Sequence, residues 1–150
     1  MYNIKIATEE DTQDLLKMCF EFFSFSEYSK LKSLDKDTVL GTINWYLTQP
    51  KNHAIIFLLT HQDKAVGMLS MISVPSPFWD TFVASEQVWW VDPSHRGKHS
   101  LNLFYAAEEW AKRVGCSGVS FSCLEENSLI EKIYIKNGYK LTEKNYFKEL

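Results

Sequence analysis

Glycine and proline are sparse in this chain, 6 and 4 residues among 150. That scarcity excludes collagen-like and low-complexity classes. Cysteine is scarcer: Cys19, Cys116 and Cys123 are an odd number without close pairing. They argue against a disulfide framework and read as buried thiols of a cytoplasmic protein. Long apolar runs are missing. Ala54–Leu59 and Val88–Val91 fall far short of the ~20 residues that span a bilayer, and Met1–Lys5 lacks the apolar stretch of a signal peptide. Basic excess is missing too, with 16 Lys and Arg against 19 Asp and Glu and a net charge of −3. Nucleic-acid binders carry a basic footprint. The densest basic runs here, Lys30–Lys32 and His95–His99, are too short to track a duplex backbone. The second is long enough to hold one small anion.

What is present is a core. The chain has 10 Phe, 7 Tyr and 5 Trp, and 45% of its residues are hydrophobic, which excludes disorder as the main state. At this length the folded surface should be about 7,900 Å² against about 25,000 Å² for the extended chain. One domain over residues 1–150 is expected.

Patterning predicts the elements. Tyr2–Ala7 alternates as a strand. Thr8, followed by Glu9, Glu10 and Asp11, reads as a helix start in which the Thr8 hydroxyl accepts an orphan N–H. A helix carrying Leu15, Leu16, Cys19, Phe22 and Phe23 follows. Residues Ser24–Ser33 give no clear pattern. Asp35 or Asp37 caps a second helix that ends before Pro50. Ala54–Thr60 and Ala65–Val74 read as a hairpin, and Ser85–Val91 as a further strand. A loop at Ser94–His99 leads to a helix from Leu101 to Val114, stopped by Gly115. Val119–Cys123 is a short strand and Glu126–Lys136 a helix. Tyr139–Leu141 and Tyr146–Lys148 read as a closing strand pair. The order is that of an α/β protein, antiparallel first and with helical crossovers later.

The most informative segment is Val88–Ser100, where a strand runs into a short basic loop and a helix follows at once. Helix-start N–H groups have no intrahelical partner and, with the helix dipole, attract an anion. Gly97 permits close backbone approach, and Arg96 and Lys98 can add charge-assisted bonds. An ordinary strand–helix turn with solvated charges explains the same residues. His95 and His99 stand at i, i+4, but Pro93 and Gly97 oppose a regular helix and no further ligand lies nearby, so no metal is expected.

Three segments resemble the GNAT superfamily of N-acetyltransferases. Val91-Asp92-Pro93-Ser94-His95-Arg96-Gly97-Lys98 is similar to its Val-x-Pro-x-x-Arg-Gly-x acetyl-CoA loop. Ala106–Lys112 with Gly115 is similar to the helix that follows. Asn127, Ile133, Tyr134, Lys136, Gly138 and Tyr139 match its Asn-x5-Leu-Tyr-x-Lys-x-Gly-Phe signature. The likeness covers about residues 54–148 and is similar to small bacteriophage and bacterial members. It implies the acyl-CoA N-acyltransferase fold, a central mixed, mostly antiparallel sheet flanked by helices. It implies acetyl transfer from acetyl-CoA, the cosubstrate, to a primary amine. The family pattern continues with Gly or Ala where this chain has His99 and Leu101. Side chains there either narrow the approach to the pyrophosphate or, for His99, donate to it.

Cofactor contacts are then expected from Trp90, Val91, Arg96, Gly97, Lys98, His99, Ser100 and Asn127. A free N–H near Trp90 or Val91 would face the thioester oxygen. Tyr134 resembles the family's general acid, with core packing as its ordinary alternative. Asn127 resembles the residue bonded to the pantetheine arm, with a helix cap as the alternative. Glu86 is the candidate base, on the strand face of Val88 and Trp90; a half-exposed Glu paired to a Lys is the plain alternative. Glu125 and Glu126 are weaker candidates, because acids at a helix start usually cap it. Cys123 ends a central strand and reads as a buried thiol rather than a nucleophile. Of Trp89 and Trp90, on alternating faces, one at most lines a groove. The acceptor amine is not identified by the sequence; its groove is expected around Phe22–Leu34, Pro75–Phe82 and the last strands. A homodimer stays open. The rival readings are a catalytically weak binding module on the same scaffold, favoured by His99 and Leu101, and a toxin acetylating aminoacyl-tRNA, opposed by the acidic balance.

Overall fold

A computed structural model describes residues 1–125 and 128–150. Five strands form one sheet in the order β1-β2-β3-β4-β5: β1 Tyr2–Ile6, β2 Ala54–His61, β3 Lys64–Pro75, β4 Phe82–Val91 and β5 Gly118–Ser120. The first four pair antiparallel, and β5 joins β4 in parallel. Helices α1 (Thr12–Phe25) and α2 (Lys36–Thr48) cover one face; α3 (Leu101–Arg113) and α4 (Leu129–Lys136) lie on the other side. The sheet is mixed and mostly antiparallel, as the family resemblance implies.

The continuous apolar run of β2 follows from this layering. Ala54, Ile56 and Leu58 enter the core beneath α1 and α2, while Ile55, Phe57 and Leu59 enter the core beneath α3. Successive side chains alternate faces, so a strand covered on both sides is apolar throughout. Each Ile, Leu or Phe among them contributes about 1.5–3 kcal/mol when fully buried.

The chain enters α1 through a short 3-10 turn at Glu9–Asp11. The cap acceptor is Asp11 rather than Thr8: its Oδ2 accepts the Thr8 N–H at 2.8 Å, and the Thr8 hydroxyl donates to the same oxygen. Lys5 completes the arrangement with an ion pair to Asp11 at 2.8 Å. The unpatterned stretch after α1 holds a 3-10 turn at Glu27–Lys30. Asp35 caps α2 by accepting the Asp37 N–H.

Several expectations are corrected. The fifth strand occupies Gly118–Ser120, not Val119–Cys123, so Cys123 lies beyond the sheet and is exposed rather than buried. Helix α4 begins at Leu129, capped by Ser128, whose hydroxyl accepts the Glu131 N–H at 3.2 Å. Residues 139–150 form no strands. The outer edge strand on that side, β5, offers only three residues for pairing, and Leu141, Tyr146 and Leu150 stay exposed. The total surface is 10083 Å², above the expected 7,900 or so.

Candidate active site

The site forms where β4 and β5 part. Their pairing runs only from Val83–Ser85 to Gly118–Ser120. From Glu86 to Val91 the outer edge of β4 has no strand partner among the described residues. Hydrogen-bonding direction alternates along an antiparallel strand. The Asp92 N–H goes to Val66 O, on the β3 side, so the same alternation turns Trp90 toward β3 and aims Trp89 and Val91 at the open edge. The Val91 carbonyl there is already taken: Arg96 Nε donates to it at 2.9 Å. The Val91 and Trp89 N–H groups are the outward donors, which narrows the expected pair of Trp90 and Val91 to Val91.

An extra residue shapes the middle of β4. Ser70 pairs with Val88 and the next residue, Met71, pairs with Glu86, leaving Gln87 without a partner in the register. Such a bulge reverses the alternation beyond it. Glu86 is therefore in register with Met71 and two residues from Ala84, both in the core beneath α3. The expectation that it shares the face of Val88 and Trp90 is overturned, because those two belong to the opposite core. A single inserted residue flips every side chain after it, and the sequence carries no mark of the insertion.

Glu86 is 9% exposed and makes no ion pair with a lysine among the described residues, so the half-exposed, Lys-paired alternative does not hold. Its Oε2 accepts the Ser122 N–H at 3.1 Å. Burial pushes its pKa up to about 7, and the Ser122 bond opposes the rise. Tyr134, on α4, is 7% exposed and donates its hydroxyl to the Ser122 carbonyl at 2.8 Å. Its pKa is raised by burial and then by the charge of Glu86, so the phenol keeps its proton and remains a donor. Trp89, Phe104, Phe121 and Tyr139 surround the Tyr134 ring at centroid distances of 5.6–6.4 Å. Packing and the hydroxyl's bond thus coexist in one residue. Asn127 and Glu126 lie outside the described residues. Glu125 is exposed.

Trp90 enters the core beneath α1 and is 5% exposed. Its Nε1 donates to Glu21 Oε2 at 2.9 Å, and the Arg96 guanidinium carbon lies 5.0 Å from its ring centroid. Trp89 packs on the other side, parallel to Phe104. Trp90 is therefore a core residue, while Trp89 stays half-buried. Gly67, which patterning passes over, supports this strand from β3. A Cβ there would lie 3.0 Å from Val91 Cγ2 and 3.1 Å from Trp90 O. An isolated Gly in a strand is the signal for such close approach.

The loop from Pro93 to Ser100 consists of two 3-10 turns, Pro93–His95 and Lys98–Ser100, joined at Arg96 and Gly97. Ser100 Oγ donates to Gly97 O at 2.6 Å. Arg96 and Lys98 are exposed. His99 does not project into the mouth of the loop. Its ring folds back on Tyr2, with its Nε2 against His95 O. His95 and His99 do not share a helix face, and no cluster among the described residues could hold a metal ion.

A mixed sheet whose one parallel pair opens along β4, with a strand–loop–helix turn at the end of that strand, is the acyl-CoA N-acyltransferase fold. A family model described as the acetyltransferase (GNAT) family matches residues 10–139; the chain belongs to that family. The fold is shared with solved structures over the whole chain. One is titled a transcriptional regulator from Bacillus halodurans, with 17% identity, TM-score 0.81 and all of both chains covered. Another is the aminoglycoside N-acetyltransferase AAC(6')-Iy with CoA, with 17% identity, TM-score 0.79, and 100% of this chain and 95% of that one covered. An acetyltransferase of Trypanosoma brucei has 20% identity, TM-score 0.74 and all of both chains covered. Among curated proteins no sequence matches. No helix among the described residues is long and apolar enough to cross a membrane.

Proposed function

We propose that the protein transfers acetyl from acetyl-CoA to a primary amine by direct attack. The observation that carries this reading is the convergence of Glu86 and Tyr134 on Ser122 at the open edge of β4. Acetyl-CoA supplies an activated thioester carbonyl. The residues around the edge fit it: an outward N–H group at Val91, loop N–H groups at Arg96, Lys98 and His99 that the turns before α3 leave unbonded among the described residues, a cationic Arg96, and a glycine at position 97.

An amine attacks only when neutral, and a free lysine amine has a pKa of about 10.4. Glu86, with its pKa near 7, accepts the amine proton directly or through one water. A carboxylate at its ordinary pKa would be a weaker base. The Val91 N–H stabilises negative charge developing on the carbonyl oxygen. Tyr134 turns its hydroxyl from Ser122 O to the departing sulfur and donates its proton; solvent then reprotonates the phenolate and Glu86 releases the amine proton to solvent, which restores both groups.

A cavity of about 700 Å³ lies between the α1–α2 connection and the tail, lined by Phe23, Tyr28, Leu31, Lys32 and Phe147 among others but not by Glu86, Ser122 or Tyr134, so in this reading it holds the body of the acceptor and not the reacting amine. Its mixed apolar and charged lining suits an amine with an apolar body, either a small molecule or a protein side chain. AAC(6')-Iy, named for an aminoglycoside acceptor, illustrates a small-molecule amine on this fold.

The binding-module alternative rests on His99 and Leu101, and the fold-back of His99 onto Tyr2 weakens the first of these supports. Thermal unfolding with and without acetyl-CoA tests the reading. A ligand at 100 times its Kd stabilises by about 2.7 kcal/mol. A shift of several degrees is expected, followed by CoA release with an accepted amine; no shift at millimolar acetyl-CoA overturns the proposal.

A further inference from the structure

Three of the four histidines meet at one end of the sheet, around a single tyrosine of the first strand. The Tyr2 ring lies between two imidazoles. His99 stacks at 3.6 Å between centroids and 9° between planes, and His61 at 4.3 Å and 26°. Two rings this close and this parallel must occupy opposite faces of the phenol. The Tyr2 hydroxyl is within 3.0 Å of His95 Nδ1, and His61 and His95 lie 5.3 Å apart. His61 comes from the end of β2, while His95 and His99 come from the two 3-10 turns of the loop after β4.

The sheet order separates β4 from β1 by two strands. The loop therefore crosses the ends of β3 and β2 and is fastened to β1 at its far side. Two further observations indicate that the fastening is built. A Cβ at Gly97 would lie 3.2 Å from His99 Cε1, so the missing side chain leaves room for the folded-back ring. His61 Nδ1 is buried without a hydrogen-bond partner among the described residues, so among those residues stacking rather than an Nδ1 hydrogen bond engages that imidazole.

We infer that Tyr2 is a positioning residue for acetyl-CoA: clamped between His61 and His99, it holds residues 93–100 in the conformation that presents the N–H groups of Arg96, Lys98 and His99 to the pyrophosphate, those of Ser94, His95, Gly97 and Ser100 being bonded within the loop. This rests on the reading of the loop as the acetyl-CoA site. It also assigns His99 a role that neither crowding nor phosphate donation describes. Where a loop rich in glycine would be held by its own tight turns, this one is held by ring contacts to another strand. Ordering the loop before binding removes an entropic cost that binding would otherwise meet.

The test compares wild type, Tyr2→Ala, Tyr2→Phe and His99→Ala in two measurements. The first is amide hydrogen exchange of residues 94–101 without ligand; the second is acetyl-CoA affinity by calorimetry. Tyr2→Ala and His99→Ala should speed exchange in the loop while leaving the amides of β2 protected. Each should weaken acetyl-CoA about five- to fiftyfold, the scale of one or two aromatic stacks. Tyr2→Phe keeps both stacks and should stay within about threefold of wild type. If Tyr2→Ala does not fold, His99→Ala carries the test from the loop side. Wild-type affinity in the alanine variants, or unchanged loop exchange, overturns this inference alone. A wild-type protein that ignores acetyl-CoA overturns the acetyltransferase reading and this inference with it.

Discussion

Glu86 and Tyr134 hold opposite ends of one residue: Glu86 accepts the Ser122 N–H at 3.1 Å, and Tyr134 donates to the Ser122 carbonyl at 2.8 Å. The strand that brings Glu86 and the helix that brings Tyr134 are 48 residues apart between these two positions. Residue 122 lies where the chain has just left β5, so the geometry depends on the splay between β4 and β5. A base and an acid placed this way can serve opposite sides of one transfer without a direct bond between them.

The pH dependence should follow Glu86. With its pKa raised to about 7 by burial, the carboxylate is protonated below that value and cannot accept a proton. The rate at saturating amine is expected to rise about tenfold per pH unit toward pH 7 and then bend. Glu86→Gln should remove that bend and lower the rate by about 10²–10⁴. An unchanged bend in the variant would assign the titration to another group.

The same residue should limit stability. Its folded pKa lies above the unfolded one, so the folded state binds more protons between about pH 4.5 and 7. Stability then falls as pH rises through that window, and the loss is complete above it. A shift of this size corresponds to roughly 3 kcal/mol. Glu86→Gln should therefore raise the melting temperature at pH 8 and change it little at pH 4. Equal effects at both pH values would show that the buried charge is not destabilising.

Tyr134→Phe removes one hydroxyl and one hydrogen bond to Ser122, a loss of about 1 kcal/mol in stability. Folding and acetyl-CoA binding should persist. Turnover should fall by about 10²–10⁴, nearer the lower end because a thiol of pKa about 8.5 leaves tolerably unaided. A full rate in this variant would make Tyr134 a packing residue, with water completing the proton transfer.

Arg96→Ala tests the loop from its charged side. Loss of a charge-assisted bond to the pyrophosphate should weaken acetyl-CoA by about 1.5–3 kcal/mol. Arg96 also holds Val91 O and covers the Trp90 ring, so a small drop in melting temperature should accompany it. Calorimetry showing unchanged affinity would confine Arg96 to those structural contacts.

Gly67→Val tests the support under the reaction edge. Added methyls would meet Val91 and the Trp90 carbonyl at about van der Waals limits or closer, and overpacking of this kind costs about 1–3 kcal/mol. The melting temperature should fall and the Val91 N–H should shift in an amide spectrum. A silent substitution would show that β4 can move without consequence.

Local chemistry was sufficient for much of this protein. Periodicity located α1, α2, α3 and the first four strands, because each buries one face or both and its apolar spacing records that. Glu86, Arg96 and Tyr134 were legible as chemical groups, since carboxylate, guanidinium and phenol in a family-like spacing narrow the options. The face of Glu86 was not legible. It depends on Gln87 lacking a partner, and pairing between β3 and β4 exists only once both strands are laid side by side. The role of His99 was hidden for the same reason: Tyr2 is 97 residues away, and no local pattern joins them. The tail read as two strands because its side chains alternate, yet a strand forms only where an edge receives it, and β5 offers three residues. Sequence determined which groups could do chemistry. Tertiary structure decided which of them meet, because burial and strand register belong to pairs of segments rather than to either segment alone.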